Sequence, residues 1–319
     1  MWTKWRRTVM LSAVLFIATG LLVTCTPNAG EEATVPHVEK AVFPLEVIDQ
    51  AGRTVRVEKL PEKIVSLAPS NTEILYALGL EDRLVGVTEY CNYPEAAQQK
   101  PKIGGYSTVD VEKVVAIQPD LILATNIHKD EIIPRLERLN FTVLLIAPQS
   151  VSEVLDSINL VGLVAGKTEE ASHLTGEMEE RIRAVTDKTS ALPGEQRPRV
   201  FYVLWYDPIS TVGAGTRIND LIVKAGGSNI AGDLPGYPDM SLEVVISKNP
   251  QVIIADVGHG TNEELNYQYA LTEERFKDID ARRNSRVYKI NSDLVSRPSP
   301  RIIEGLEALA KFIHPELFP

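Results

Sequence analysis

Lys102–His128 reads KIGGYSTVDVEKVVAIQPDLILATNIH, and Asp233–His259 reads DLPGYPDMSLEVVISKNPQVIIADVGH. Shifting the first stretch by 131 positions superimposes Gly105 on Gly236, Tyr106 on Tyr237, Glu112 on Glu243, Val114 on Val245, Pro119 on Pro250, Ala124 on Ala255 and His128 on His259 without a gap. A fixed-register match of this kind points to duplicated structure. Two copies so far apart do not make a solenoid; they predict two similar lobes with a ligand between them. Within each copy Asp110 or Ser241 is placed to cap a helix that ends near Pro119 or Pro250. The apolar runs Leu121–Ala124 and Val252–Ala255 then read as parallel strands buried on both faces.

The same alternation extends outward. Leu45–Glu58 alternates around Ala51-Gly52-Arg53 as a hairpin would. Lys63–Pro69 reads as a buried strand, Ser70–Leu78 as a capped helix stopped by Gly79, and Leu84–Thr88 as the next strand. Ala171, Leu174, Met178, Ile182 and Val185 recur in steps of three and four. A helix from Lys167 to Ser190 would be about 36 Å long at 1.5 Å per residue. It predicts a stiff connector between the lobes, broken by Ser190–Pro198 before Arg199–Trp205 opens the second lobe as a strand. The expected architecture is α/β: two Rossmann-like lobes joined by a single long rigid α-helix, with the ligand in the cleft between them. The ranges are a first lobe over 45–150, a helical connector over 151–194 and a second lobe over 195–319.

Met1–Arg7 holds Lys4, Arg6 and Arg7 and no acid, and Leu11–Val23 is an apolar core, the pattern of an export signal. Residues 1–25 are read as that signal. The stretch 26–44 is a flexible tether rich in Pro, Asn, Gly and Glu. Residues 8–30 carry no charge, so an uncleaved anchor is the alternative to processing, since a bilayer needs about 20 apolar residues. Either way the bulk of the chain lies outside the cytoplasm. The formal charge is −10, and it deepens to −13 once the first 25 residues, with three of the 33 basic residues and none of the 43 acids, are set aside. That balance argues against nucleic acid as a partner. With Cys25 modified, Cys91 has no disulfide partner.

Four further motifs join the repeat: Ile64-Val-Ser-Leu-Ala-Pro-Ser-Asn-Thr-Glu-Ile-Leu75, Val85-Gly-Val-Thr-Glu-Tyr-Cys-Asn-Tyr-Pro94, Ala225-Gly-Gly-Ser-Asn-Ile230 and Ser296-Arg-Pro-Ser-Pro-Arg301. As a set they resemble the substrate-binding proteins of ABC importers that take up cobalamin, ferric siderophores and haem, and the cobalamin-binding members most of all. The resemblance runs from about residue 45 to 319. Leu22-Val-Thr-Cys25 separately resembles the lipobox of bacterial lipoproteins, although Thr24 stands where Gly, Ala or Ser is usual. It implies acylation of Cys25 and a place at the outer face of the cytoplasmic membrane or in the periplasm.

The family resemblance implies roles for individual residues. Glu112 and Glu243 would dock on arginines of the permease, although each also gains about 0.3–1 kcal/mol in the first turn of a helix. Tyr106 and Tyr237 would contact the ligand in the cleft, joined by Tyr90, Trp205, Tyr206 and Asp207. A phenol offers a flat apolar face and a polar tip, which suits a large ligand with polar edges. Arg297 would pair with an anionic ligand group, and Arg301 is read as structural. His128 and His259 follow strand carboxyl ends, where a neutral imidazole could ligate cobalt or iron, though solvated loop positions explain them as well. No resident cofactor is expected; the transported ligand is a corrinoid, with a ferric siderophore or haem as the alternative. The expected partners are the permease and its ATPase subunits, and the receptor is expected to be a monomer.

Two other functions fit less well. A zinc or manganese receptor gathers histidines, and this chain has five, none clustered. A nucleotide-cofactor enzyme would need more than Gly213-Ala-Gly215-Thr-Arg-Ile218, where isoleucine stands in place of the third glycine. The chain is therefore read as a receptor and not as an enzyme.

Overall fold

Strand and helix alternate through residues 45–145 and again through 199–313. In this computed structural model residues 41–258 and 264–319 are described; the signal, Cys25, the tether up to residue 40 and His259 lie outside them. The first lobe opens with a hairpin of β1 (Leu45–Ile48) and β2 (Thr54–Val57), turned at Gly52 with φ +75°. Then come β3 (Ile64–Ser66), α1 (Pro69–Ala77), β4 (Leu84–Val87), α2 (Val111–Ile117), β5 (Leu121–Ala124), α3 (Ile132–Glu137) and β6 (Val143–Leu145). Two helices follow, α4 (Val151–Val164) and α5 (Thr168–Thr189). The second lobe runs through β7 (Arg199–Val203), β8 (Trp205–Tyr206), β9 (Ile209–Ser210), α6 (Arg217–Lys224), β10 (Ser228–Asn229), α7 (Leu242–Lys248), β11 (Val252–Val257), α8 (Leu265–Thr272), α9 (Asp280–Arg283), β12 (Val287–Asn291), α10 (Ser292–Ser296) and α11 (Ile302–Ile313).

Each lobe holds a four-stranded parallel sheet, in the order β4-β3-β5-β6 in one and β10-β7-β11-β12 in the other. In both, the lobe's first parallel strand lies between its second and third, so the repeat is one of topology as well as sequence. The repeated helices match closely. Asp110 accepts the Lys113 amide at 3.1 Å and Ser241 accepts the Val244 amide at 3.4 Å. Each helix then ends on a left-handed residue, Gln118 at φ 52° or Asn249 at φ 43°, and the strand after it is buried along both faces. Helix α1 differs from the capped helix expected at Ser70. It begins at Pro69 without a side-chain cap, because proline's fixed φ suits the first helical position and its missing N–H needs no acceptor.

The connector forms where the periodicity places it, with Lys167 and Ser190 flanking a helix of 22 residues, about 33 Å long. Its amino-terminal half lies against α4, and the approach is close: a Cβ on Gly162 would stand 2.4 Å from that of Ala171. Its carboxyl-terminal half is fixed to the second lobe. Arg181 pairs with Glu307 at 2.7 Å, and Thr189 donates to the Lys224 carbonyl at 2.6 Å. Ala171, Met178 and Val185 are buried, while Leu174 and Ile182 are partly so.

Candidate ligand-binding site

The loop that carries Tyr106 is a tight excursion between β4 and α2. Gly105 N–H donates to the Thr108 carbonyl at 3.1 Å, and Asp110 N–H to that of Ile103 at 2.9 Å. Gly104 sits at φ +100°, where a Cβ would lie 2.6 Å from the Thr108 carbonyl oxygen, so only glycine fits. The loop that carries Tyr237 is stitched to residues 211–214 instead. Gly213 N–H donates to Gly236 O at 2.7 Å, and Gly236 N–H to Ala214 O at 2.9 Å. A Cβ on Gly213 would meet the Leu234 carbonyl oxygen at 2.0 Å. Thus Gly213-Ala-Gly215 serves close backbone packing beneath the Tyr237 loop.

These loops leave aromatic surface uncovered: Tyr90 is 61% exposed, Tyr237 59%, Trp205 41% and Tyr106 37%. Tyr90 lies beside Gly105, within 3.8 Å of where its Cβ would be. On the second lobe, Trp205 packs on Tyr206 with centroids 5.5 Å apart, and Tyr206 on Tyr269 at 5.8 Å. Trp205 also donates its indole N–H to the Asp207 carbonyl at 2.9 Å. The exposed indole is therefore held by a ladder of rings that reaches the core through Phe276.

Arg217, which the sequence reading passed over, stands where the two lobes meet. It opens α6, and donates to the Pro148 carbonyl of the first lobe and, at 2.8 Å, to the Ser296 carbonyl of the second. Burial lowers its pKa, opposed by the phenols of Tyr237 and Tyr106 and by Glu153. Among the described residues its buried Nε has no hydrogen-bond partner. Nearby Asp220 accepts the Val151 amide at 2.8 Å, which ties α6 to the start of α4.

Arg297 is not the free cation that the sequence reading expected. Its guanidinium reaches Glu73 at 2.9 Å, the Asn92 side-chain oxygen at 2.7 Å and Asp293 at 2.9 Å. Glu73, on α1 of the first lobe with its side chain 2% exposed, also accepts Ser299 Oγ at 2.6 Å and Arg301 at 2.7 and 3.0 Å. Arg301 lies over the ring of Tyr93 at 3.9 Å. One buried carboxylate therefore fastens the Ser296–Arg301 segment of the second lobe to the first. Arg301 is structural, as expected, and the geometry gives Arg297 the same work. The one sequence signal for Glu73 is a carboxylate in an apolar helix with no cation three or four positions away.

His128 is a structural residue and not a metal ligand. It is fully buried; Nδ1 accepts the Thr125 amide at 3.0 Å, which leaves Nε2 to donate to the Tyr106 carbonyl at 2.7 Å. Its ring also meets Tyr106 edge-on, with centroids 5.6 Å apart, and the Tyr106 hydroxyl lies 3.2 Å from Thr125 Oγ1. Burial lowers its pKa and keeps it neutral, so the histidine holds the tyrosine loop. Among the described residues no cluster of three or more His, Cys, Asp or Glu could hold a metal. Cys91 is a buried thiol within 3.2 Å of the hydroxyls of Thr72 and Thr88.

Glu112 and Glu243 occupy equivalent first-turn positions on α2 and α7, and both are exposed. At Glu243 the amino-terminal backbone and the Ser241 hydroxyl hold the carboxylate pKa down. Deeper in the second lobe Asp256 is buried, and its pKa is pushed up to about 7 by desolvation, with Asp293 adding to the effect.

The family described as periplasmic binding protein matches residues 64–294. An uncharacterized ABC transporter substrate-binding lipoprotein of Bacillus subtilis is 34% identical over 311 residues, 96% of this chain and 97% of that one. A cobalamin-binding protein of Halobacterium salinarum is 31% identical over 312 residues, covering 93% of this chain and 83% of its own. Among solved structures, the periplasmic vitamin B12 binding protein of Vibrio cholerae superimposes with a TM-score of 0.68 at 28% identity, over 80% of this chain and 97% of that one.

Proposed function

The chain belongs to the periplasmic binding protein family, and from that premise we propose that it is the extracytoplasmic receptor of an ABC importer that captures a corrinoid between its lobes. One observation carries the choice of ligand. Tyr106 and Tyr237, at equivalent positions of the two repeated loops, are 37% and 59% exposed, and each offers a broad aromatic face with a hydroxyl tip. A corrinoid has a wide, largely apolar ring rimmed by amides, and such faces cover the ring while leaving its edges to polar groups. The relatives named for cobalamin and vitamin B12 support the same reading.

The receptor delivers its ligand to a permease with its ATPase subunits, and the work needs no covalent step. Glu112 and Glu243 are the docking points, one per lobe. Acylated Cys25 ties the chain to the outer face of the membrane, in keeping with the lipoprotein of Bacillus subtilis. Among the described residues no helix is long and apolar enough to cross a membrane. Uptake of labelled cyanocobalamin by cells with and without the receptor tests this reading. Loss of uptake on deletion, restored by the wild-type chain but not by Tyr106→Ala with Tyr237→Ala, is expected. Undiminished corrinoid uptake with loss of haem or ferric-siderophore uptake would assign the other ligand.

A further inference from the structure

The two docking glutamates sit in equivalent helix turns, but their surroundings differ in charge. Beside Glu112, α2 and α3 enclose a groove of about 460 Å³, with Val115, Ala116 and Leu139 contributing its apolar surface and Arg135 and Arg138 its cations. Leu139 is 48% exposed. The neighbouring charges are already used: Glu137 binds Arg53 at 2.6 Å, and Asp110 binds Lys113 at 3.5 Å. Neither Arg135 nor Arg138 pairs with an acid among the described residues. Two free guanidiniums therefore stand next to one free carboxylate over apolar surface, on a chain whose net charge is −10. On the second lobe the cation that acts on Glu243 is Arg275, and it is neutralised by Glu273 at 2.7 and 3.0 Å.

We propose that the α2–α3 groove is a socket for a loop of the importer's permease that carries a carboxylate beside an apolar side chain, with Arg135 and Arg138 taking the carboxylate. The inference rests on the receptor reading above. Charge complementarity selects the occupant: paired guanidiniums bind carboxylate by two-point hydrogen bonds, and the apolar surface gives an adjacent side chain somewhere to be buried. With Glu112 taking a cation of the same permease, the first lobe presents a two-signed socket and the second a one-signed one. The two ends of a pseudo-symmetric receptor are thereby distinguishable to the membrane complex.

The test uses the full-length receptor and the permease–ATPase complex of its own importer in nanodiscs of phosphatidylethanolamine and phosphatidylglycerol, with docking followed by biolayer interferometry. Arg135→Glu with Arg138→Glu is expected to weaken docking by about tenfold or more at low salt, and Gln at both positions to weaken it less. Wild-type docking should itself fall with added salt. Arg275→Glu should change docking by no more than about twofold, because that cation is already paired. All variants should keep the wild-type melting temperature and cyanocobalamin affinity, since these side chains are exposed. Wild-type docking with an unimpaired R135E/R138E protein overturns this inference alone. Equal binding to nanodiscs without the permease also overturns it, by assigning the arginines to anionic lipid. A wild-type receptor that docks on no permease overturns the receptor reading and this inference with it.

Discussion

Replacing Glu73 with alanine tests whether one carboxylate fastens the lobes together. The wild-type side chain is 2% exposed and accepts from Arg297, from Arg301 twice and from Ser299, at 2.6 to 3.0 Å. Removing it leaves two guanidiniums, 15% and 14% exposed, without their shared counterion. Breaking a buried ion pair from one side costs about 3–5 kcal/mol. Here the loss falls near the lower end, because Arg297 keeps Asp293 and Asn92 and Arg301 keeps the face of Tyr93. At roughly 2–4 °C per kcal/mol for a chain of this size, Glu73→Ala should melt about 6–12 °C below wild type by differential scanning calorimetry. Glu73→Gln retains the shape and one acceptor oxygen, and should lose about half as much. A drop of under about 2 °C for the alanine variant would mean that the two cations find water or other partners at no cost, and that Glu73 does not fasten the lobes.

Three further outcomes follow from the site. Asp256 keeps its proton in the folded chain up to about pH 7, whereas the unfolded chain releases it near pH 4; the native state therefore binds the extra proton across that window, and stability from this group falls as pH rises through it. Asp256→Asn should flatten that slope and exceed wild type at pH 8 by on the order of a few kcal/mol in urea titrations, and an unchanged slope would count against the buried acid. His128 has its pKa lowered by burial, so its contribution is complete above the unfolded value of about 6.5 and is lost as pH falls through the folded one. His128→Ala should release the Tyr106 loop and weaken corrinoid binding about tenfold, with unchanged affinity in calorimetry contradicting its positioning role. Charge reversal at Glu112 or Glu243 should abolish transport in reconstituted vesicles while leaving ligand affinity alone; a loss of affinity would remove the docking assignment.

The fold was legible because its signals are local. The repeated cap, left-handed turn, proline and buried strand are written within 27 residues of sequence on each lobe, and the interlobe helix announces itself by period. The site was legible only in part. Exposed aromatics after glycines can be read as binding loops, since glycine forces the tight turn and the ring has no core to fill. The polar contacts between lobes are another matter. Glu73 and Arg297 lie 224 positions apart, and nothing in either neighbourhood shows that one neutralises the other. Arg297 was accordingly expected to await an anionic ligand when it already has three acceptors, and Arg217 went unnoticed because its partners are backbone carbonyls, which leave no mark in a sequence. His128 illustrates the same limit, for a ring that accepts one amide and donates to one carbonyl reads, in one dimension, like a ring free to bind a metal.

Capture of a corrinoid on the faces of Tyr106 and Tyr237 can be followed from Trp205. Trp205, 41% exposed at the head of the second lobe's aromatic ladder, is the one tryptophan beyond Trp2 and Trp5 of the expected export signal. Its emission, in a chain begun after the signal and titrated with cyanocobalamin, haem and ferric siderophores, therefore reports on the site directly. Saturable quenching by cyanocobalamin at the lowest concentrations, lost in the Tyr106→Ala and Tyr237→Ala double variant, is the predicted result. Quenching that saturates with haem or a siderophore while cyanocobalamin leaves the emission unchanged would contradict it.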